Sequence, residues 1–321
     1  MERGQEMNRA ELQDRLTSYL HLRQALGVPV VEGSKVLDSF VDFAGAQEAT
    51  NSFTTRLVFD WLEVTTNQRL GNANRRLSLV RQFLLHLSAA FPETQVPELR
   101  LISSRRRPIP FVFTADEIEL LLNGAAQVAP GTFFSVVLQT VIGLISATGL
   151  RASEALGLER SDVALQDDEG TLLIRESKFQ KSRIVPLHPS TTQQLMYYVD
   201  HRDRLGSQLR TTAFFVSCRG QHLSYGMLRQ YFRKIVDQVG IQGRVDGKQP
   251  TLHSLRHSFV VARLRSWHEQ GLDVPTRLAH LATYLGHVDV RESYWYMTAT
   301  PELLRAAAAN FRAPACTGGE Q

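Results

Sequence analysis

A cluster of prolines and arginines divides this 321-residue chain into two stretches of different character. Pro92, Pro97, Pro108 and Pro110 surround the run 105–107, which is three consecutive arginines. Such sequence suits an extended linker, and the length suffices for two domains. The predicted organisation is a helical domain over residues 1–100, a linker over 101–112, a second domain over 113–312 and a disordered tail over 313–321.

The stretch before this break has a helical pattern. Between residues 9 and 91 apolar side chains recur at the spacing of a buried helix face, as in Leu12, Leu16 and Leu20. Turn-forming pieces such as Gly27-Val28-Pro29 interrupt the pattern. The sequence therefore predicts four or five short helices and no strand in the first domain.

The stretch after the break mixes helical and strand-like patterns. Thr114 followed by Glu117 is typical of a helix start in which the two side chains form a capping box. Helices are predicted over residues 115–126, 132–147 and most of 190–311. Short apolar runs predict three antiparallel strands, at residues 162–165, 171–175 and 183–187. The predicted fold class is thus α+β, mainly α with a small antiparallel β-sheet.

Composition limits the cellular setting. Hydrophobic residues make up 43% of the chain, which is enough for packed cores and argues against wholesale disorder. Two distant cysteines, Cys218 and Cys316, do not make a disulfide scaffold, so a cytoplasmic protein is expected. No secretory leader is recognisable, and polar residues interrupt the apolar stretch 133–150, which favours a buried helix over a membrane span.

The first of four phrases with chemical content runs from Thr148 to Glu154 and reads Thr-Gly-Leu-Arg-Ala-Ser-Glu. Gly149 fits a residue that ends a helix in the left-handed conformation, which would place Arg151 at the start of the next helix. A guanidinium there could hold two phosphate oxygens. An ion pair with Glu154 or Glu159 on a surface helix is the equally supported alternative.

The second phrase, from Ser177 to Leu187, places Lys178 in the turn between two predicted strands. A lysine in such a turn is usually solvated. A mobile ammonium there could also protonate the oxygen that leaves a phosphate. Lys181 and Arg183 are nearby rivals for this role, and plain surface charge is an alternative for both.

The third phrase, 253–257, reads His-Ser-Leu-Arg-His and puts basic side chains at positions i, i+3 and i+4 of one helix face. Pro250-Thr251 marks the helix start, and a helix N-terminus attracts anions. Phosphate binding is therefore predicted for His253 and Arg256, whereas a structural role is favoured for His257. A zinc site is a poorer alternative, because Ser254 stands where the glutamate of His-Glu-x-x-His would be.

The fourth phrase is Leu285-Gly286-His287, followed by Tyr294-Trp295-Tyr296. Two residues apart on a helix, Tyr294 and Tyr296 would point about 200° away from each other, so at most one should face a common site. A free tyrosine, with a pKa of about 10, is a poor nucleophile. Surrounding cations such as Arg151 and Arg256 could activate it and stabilise the extra charge of a pentavalent phosphate.

In this order and at these separations, the four phrases resemble the tyrosine recombinase (phage integrase) family over residues 113–311. The run 294–302 looks like the version found in integrases of mobile elements, although Thr298 stands where the family often has a histidine. The resemblance implies an N-terminal helical, SAM-like core-binding domain and a catalytic domain. Because the family's nucleophile lies nine residues after the histidine of the Leu-Gly-His phrase, Tyr296 is selected over Tyr294. The family's catalytic residues carry over as Arg151, Lys178, His253, Arg256, His287 and Tyr296.

The reaction that the resemblance implies is site-specific breakage and rejoining of DNA through a 3′-phosphotyrosine, without a metal or another cofactor. Family members clamp duplex DNA, and the charge pattern agrees with this. Eight arginines and two acidic residues lie between Arg69 and Pro110, an excess that would neutralise phosphates. For any single arginine, a solvated basic face is the favoured alternative. The predicted DNA contacts are Arg69, Asn72, Arg75, Arg76, Arg81, Arg105, Arg106, Arg107, Lys181 and Arg183.

The resemblance also implies partners. The amphipathic stretch 301–311 would dock on a neighbouring protomer and give a homotetramer on two DNA sites, with packing on its own domain as the alternative. A cytoplasmic, nucleoid-associated location without a membrane partner is expected. Two other functions stay open at this point: a type IB topoisomerase-like enzyme that nicks and reseals DNA, and a non-catalytic DNA-binding regulator with the same fold.

Overall fold

The structure is a computed structural model, and the chain divides in it into two compact units, Met1–Arg107 and Pro108–Gln321. The structure describes residues 9–28, 31–47, 53–66, 70–98, 110–166, 169–177, 181–243 and 249–286. Most of the predicted linker, the predicted helix 301–311 and the predicted tail 313–321 lie outside these ranges.

The described part of the first unit consists of four helices, as the apolar spacing predicts. They are α1 (Arg9–Ala25), α2 (Val31–Ala46), α3 (Thr55–Thr66) and α4 (Leu70–Ser88). Each helix contributes an apolar face to one core, in which Leu16, Phe40, Trp61 and Phe83 are fully buried. The rings of Phe40 and Trp61 meet edge to face with their centroids 5.4 Å apart, an arrangement that aromatic pairs favour.

The second unit is mainly helical. Its helices are α5 (Ala115–Gln127), α6 (Phe133–Thr148), α7 (Ala152–Leu156), α8 (Pro189–Asp203), α9 (Tyr225–Gln238), α10 (Leu252–Glu269) and α11 (Val274–Leu285). At the start of α5, the Glu117 backbone N–H donates to the Thr114 hydroxyl at 3.1 Å. The Thr114 backbone N–H donates to the Glu117 carboxylate at 2.8 Å. The predicted capping box is therefore confirmed.

Three antiparallel strands form the predicted sheet, in the order of the sequence. They are β1 (Val163–Gln166), β2 (Glu169–Ser177) and β3 (Lys181–Leu187). Leu172 on the central strand lies opposite Val163 on one side and Val185 on the other, and all three side chains are buried. β2 and β3 extend beyond the predicted apolar runs, because backbone pairing continues through polar residues such as Ser177 and Lys181. The α+β fold class, mainly helical with a small antiparallel sheet, is confirmed.

The apolar helix α6 lies in the core of the second unit. Val137, Leu138, Val141 and Ile142 have no exposed surface, and the helix packs against α5, α8 and α10. The prediction of a buried helix is thus confirmed. Within the described ranges, no helix has both the length and the apolar content that crossing a bilayer would require.

Residues 204–224 depart from the prediction that the chain is mainly helical after residue 190. They contain a short 3-10 turn, Gly206–Gln208, and isolated bridges that pair Ala213 with Glu159 and Val216 with His222. Phe214 and Phe215 in this segment are fully buried. Packing of these two rings, rather than helix propensity, therefore sets the local conformation.

Candidate active site

Arg151 lies in the turn that joins α6 to α7. Gly149 follows the last residue of α6 in the left-handed conformation, with a φ of 65°, as predicted. α7 begins at Ala152, so Arg151 occupies its N-cap position. The Arg151 side chain keeps 23% of its surface exposed. The turn therefore presents a partly accessible guanidinium.

Gly149 is a point of close packing as well as a turn residue. A β-carbon at this position would lie 2.5 Å from Cδ1 of Phe259 in α10 and 3.0 Å from Cδ2 of Leu285 in α11. Another residue would have to displace these side chains and would also adopt an unfavourable backbone conformation. The turn before Arg151 is thus held against the two helices that contain the third phrase and the start of the fourth.

Glu154 binds Arg151 at two points. The Arg151 backbone N–H donates to Oε2 of Glu154 at 3.0 Å, and Nη1 of Arg151 donates to Oε1 at 2.8 Å. The ion pair considered as an alternative to phosphate binding is therefore present. It uses one of the five N–H donors of the guanidinium, so the ion pair and a phosphate contact are compatible.

Arg183 on β3 binds the same carboxylate. Its Nη1 donates to Oε1 of Glu154 at 3.2 Å and its Nη2 donates to Oε2 at 2.9 Å. Its Nε donates to the Tyr284 carbonyl oxygen at 2.8 Å. The exposed fractions of the Arg183 and Glu154 side chains are 12% and 7%, so this pair is largely shielded from water.

The two arginines control the ionisation of Glu154. Burial raises the pKa of its carboxyl group, but hydrogen bonds from Arg183 and Arg151 outweigh this effect and hold the pKa below its ordinary value. Glu154 is therefore ionised at neutral pH and acts as a fixed anion between two cations.

Arg256 is one of the largest fully buried side chains in the described residues, with 1% of its surface exposed. It lies in the first turns of α10, where Thr251 and Ser254 cap the helix N-terminus as predicted from Pro250-Thr251. Nη1 of Arg256 donates to the Gly149 carbonyl oxygen at 2.7 Å, and Nη2 donates to that of Leu285 at 2.8 Å. The buried cation therefore joins the ends of α6 and α11.

His253 and His257 are neighbours on α10, as their spacing predicts. Their ring centroids lie 4.5 Å apart with the planes nearly perpendicular. His253 is exposed and His257 is partly buried. Within the residues that the structure covers, no group of three or more His, Cys, Asp or Glu side chains could hold a metal ion. The zinc alternative therefore gains no support from the described part of the chain.

Half of the predicted catalytic set lies outside the described residues. Arg151, His253 and Arg256 are described, whereas Lys178, His287 and Tyr296 are not, and neither is the competing Tyr294. The described chain ends at Gly286, which closes α11 in the left-handed conformation with a φ of 66°.

The predicted DNA contacts that are described differ in their surroundings. Arg75 on α4 is exposed. Arg76 donates to the Thr65 carbonyl oxygen at 3.1 Å and lies over the Trp61 ring, and Arg81 donates to a backbone carbonyl at 3.0 Å. Both arginines therefore make contacts within the first unit. Arg69, Arg105, Arg106 and Arg107 lie outside the described residues, as do the side chains of Asn72 and Lys181.

Glu154 has a larger role in the site than its sequence position predicts. The sequence suggests it only as an ion-pair partner of Arg151, whereas the structure shows it accepting four hydrogen bonds from two arginines. Its position three residues after Arg151 was the available signal, because such residues are neighbours at the start of a helix. The contribution of Arg183 comes from a distant strand and leaves no local pattern.

Comparison with known proteins identifies the family. The profile of the Phage integrase family matches residues 112–302, which is more than half of the chain. The chain belongs to the phage integrase family. The matched stretch of this tyrosine recombinase contains all six residues predicted to be catalytic.

Curated relatives agree with this assignment. The protein y4rB of Sinorhizobium fredii, named integrase/recombinase, is 33% identical over 300 residues, which cover 90% of this chain and 93% of the relative. The tyrosine recombinase XerD of Halalkalibacterium halodurans is 32% identical over 233 residues, which cover 72% of this chain and 70% of the relative. The chain is thus a tyrosine-type site-specific DNA recombination enzyme, and the topoisomerase-like and non-catalytic alternatives are not favoured.

A solved structure shows the same fold. The XerH site-specific recombinase in a post-cleavage complex with its palindromic difH substrate aligns with a TM-score of 0.68. The alignment covers 95% of this chain and 85% of that chain at 21% identity. This likeness supports the fold of the tyrosine recombinase.

Proposed function

We propose that this tyrosine recombinase breaks and rejoins DNA at specific sites with Tyr296 as its nucleophile. The phenolic oxygen of Tyr296 attacks a phosphodiester, a 3′-phosphotyrosine forms, and the bond between phosphorus and the 5′-oxygen breaks. The 5′-hydroxyl of a partner strand then attacks the phosphotyrosine and releases Tyr296. Each step exchanges one phosphoester bond for another, so bond energy is conserved and ATP is not required.

The cationic residues have separate roles in this proposal. Arg151 and Arg256 hold the non-bridging oxygens of the phosphate and stabilise the charge that develops on them. Lys178 protonates the departing 5′-oxygen, and His253 takes part in proton transfer. His287 makes a hydrogen bond to the phosphate.

The position of Arg256 carries the proposal. Its guanidinium binds the carbonyl of Gly149, two residues before Arg151, and the carbonyl of Leu285, two residues before His287. Three phrases that are far apart in the sequence therefore meet at one buried cation. This convergence is what a shared phosphate would need.

Burial strengthens the electrostatic interaction that Arg256 would make with a phosphate. Surroundings of low dielectric constant screen charges less than water does, so a phosphate oxygen would interact strongly with Arg256. The two carbonyl bonds also hold the guanidinium in place before the substrate binds. Little reorganisation is then required when negative charge develops in the transition state.

The partner that we propose is duplex DNA that contains recombination sites. The exposed Arg75 and the other basic residues near it would contact phosphates, which makes binding dependent on salt. We also propose assembly into a homotetramer on two DNA sites through the amphipathic stretch 301–311. Such an enzyme would work in the cytoplasm at the nucleoid.

The target DNA has to be recovered before cleavage can be measured. The protein is mixed with fragmented genomic DNA of its source, denatured, and recovered together with the fragments that stay attached. Sequencing the attached ends gives the cleaved site. A synthetic duplex with a nick near that site then serves as substrate, because the short 5′-hydroxyl fragment diffuses away and the covalent complex accumulates.

The nicked duplex tests the nucleophile. Tyr296→Phe should bind the DNA as tightly as the wild type and form no covalent complex, because it lacks only the phenolic oxygen. Tyr294→Phe is the matched control and should form the complex. Covalent complex formed by Tyr296→Phe at the wild-type rate would refute the assignment.

A truncation tests the proposed assembly. A chain that ends at Thr300 should still bind a single site but lose the pairing of two sites, which native gels and light scattering distinguish. Pairing of two sites by the truncated chain would show that residues 301–311 pack on their own domain instead.

A further inference from the structure

Arg183 uses three of its nitrogen atoms for contacts within the protein. Nη1 and Nη2 bind both oxygens of Glu154, at 3.2 and 2.9 Å, and Nε binds the Tyr284 carbonyl oxygen at 2.8 Å. With 12% of its side chain exposed, the guanidinium is held between the start of α7 and the end of α11. These contacts disfavour the predicted role of Arg183 as a DNA contact.

Gly286 leaves space for this guanidinium because it has no β-carbon. A β-carbon on Gly286 would lie 2.7 Å from Nη1 of Arg183 and 3.0 Å from its Cζ. The left-handed φ of 66° independently favours glycine at this position. The backbone at Gly286 therefore packs directly against Arg183.

Glu154 transmits the position of Arg183 to Arg151. Each of its two oxygens accepts one hydrogen bond from Arg151 and one from Arg183, so both oxygens are held from two sides. Removal of Arg183 would leave a buried carboxylate with half of its partners. That carboxylate would then be free to turn towards Arg151 or towards water, and Arg151 would lose its fixed orientation.

We propose that Arg183 is a positioning residue for recombination, which sets the orientation of Arg151 through Glu154. The inference rests on the proposed function, in which Arg151 binds the phosphate that Tyr296 attacks. Arg183 itself does not touch the phosphate.

The geometry requires arginine in particular. The planar guanidinium places two N–H groups parallel to the carboxylate of Glu154 and a third towards Tyr284. A lysine ammonium is a single charged point on a flexible stem and cannot reproduce this fork. Arg183→Lys should therefore fail to restore function although it retains the charge.

The test compares Arg183→Gln and Arg183→Lys with the wild type on the nicked duplex under single-turnover conditions. At saturating protein, the rate of covalent complex formation should fall by about 10- to 100-fold in both variants, because small displacements of a positioned group have effects of this size. The dissociation constant for DNA should stay unchanged. Arg204→Gln, which removes an exposed arginine at the end of α8, is the matched control and should cleave normally.

A double variant separates positioning from general destabilisation. If Arg183 acts through Arg151, Arg151→Ala combined with Arg183→Gln should cleave no more slowly than Arg151→Ala alone, because coupled residues are not additive. The proposal would be overturned if Arg183→Gln slowed covalent complex formation in the Arg151→Ala background by the same factor as in the wild type. Cleavage is measured well below the melting temperature of each variant, and Arg183→Lys serves if Arg183→Gln does not fold.

Two other outcomes would also overturn the inference. One is a wild-type cleavage rate in both Arg183 variants. The other is weaker DNA binding with an unchanged rate at saturation, which would make Arg183 a DNA contact. If the proposed function itself were wrong, the observed result would be different. Arg151→Ala would then cleave as fast as the wild type.

Discussion

Arg256 donates a hydrogen bond of 2.7 Å to the carbonyl oxygen of Gly149, a residue 107 positions earlier in the chain. The bond joins the first turns of α10 to the turn that presents Arg151. Arg256 also binds the Leu285 carbonyl, so the same side chain fixes the end of α11. A residue proposed to bind phosphate is therefore also part of the structural framework of the site.

This double role predicts a loss of stability in Arg256→Lys. One ammonium cannot span both carbonyls, and a buried carbonyl left without a donor costs about 1–3 kcal/mol. Calorimetry should show a lower melting temperature for the second unit. Arg265→Lys, at an exposed position of the same helix, is the control and should change stability by less than about 0.5 kcal/mol. Equal melting temperatures for the two variants would show that the carbonyl bonds do not contribute.

Gly149→Ala should be more destabilising than Gly240→Ala. Both glycines have a left-handed φ, of 65° and 72°, so both substitutions should cost about 1–2 kcal/mol in the backbone. An added β-carbon meets Phe259 at position 149 but has nothing within 4 Å at position 240. Overpacking should add about 1–3 kcal/mol at Gly149 alone. If calorimetry showed equal losses of stability for the two variants, the side chains around Phe259 would accommodate the added methyl group without a loss of free energy.

The lowered pKa of Glu154 predicts that the stability difference between Glu154→Gln and the wild type depends on pH. Its pKa in the folded protein lies below the ordinary 4.5, so its stabilising contribution is present above pH 4.5 and is lost as the pH falls through the folded pKa. Glu154→Gln should therefore be less stable than the wild type at neutral pH, by about 1–3 kcal/mol. The difference should shrink as the pH falls below 4.5.

Thermal unfolding at a series of pH values measures this difference. Glu119→Gln, which removes an exposed carboxylate on α5, is the control and should differ from the wild type by less than about 0.5 kcal/mol at neutral pH. A Glu154→Gln deficit that stays constant from neutral pH to below 4.5 would contradict an ionised Glu154 as its source.

Arg75 predicts a change in the salt dependence of DNA binding. Each phosphate contact contributes about one unit to the slope of log affinity against log salt concentration, so Arg75→Ala should reduce that slope by about 1. Arg56→Ala is the control, because Arg56 is 89% exposed on the neighbouring helix α3 and is not a predicted contact. Fluorescence anisotropy at several salt concentrations measures both slopes. An unchanged slope for Arg75→Ala would remove Arg75 from the DNA-binding surface.

Features that depend on neighbours in the sequence were predictable. The capping box of Thr114 and Glu117, the left-handed Gly149 and the start of α10 after Thr251 all involve residues a few positions apart. The strands of the small sheet follow one another and pair in order, so their apolar runs were sufficient to find them. The order and separations of the four phrases were enough to indicate the family.

Contacts between distant segments were not predictable. Arg183 lies in a basic stretch with Lys178 and Lys181, and that local pattern favours a DNA contact. Its partners are Glu154, 29 positions earlier, and the Tyr284 carbonyl, 101 positions later. Such pairs arise when the fold brings three elements together, and no periodicity in the sequence reports them. The segment 204–224 deviates for a related reason, because tertiary packing of Phe214 and Phe215 determines it.

Identifying the residue that becomes attached to DNA tests the central claim most directly. The covalent complex from the nicked duplex is treated with nuclease and trypsin, and the modified peptide is fragmented in a mass spectrometer. The tryptic peptide 292–305 contains both Tyr294 and Tyr296, so fragment masses distinguish them. The proposed function predicts a nucleotide on Tyr296, attached through a 3′-phosphate. A nucleotide on Tyr294 or on any other residue, or a 5′-phosphate linkage, would contradict it.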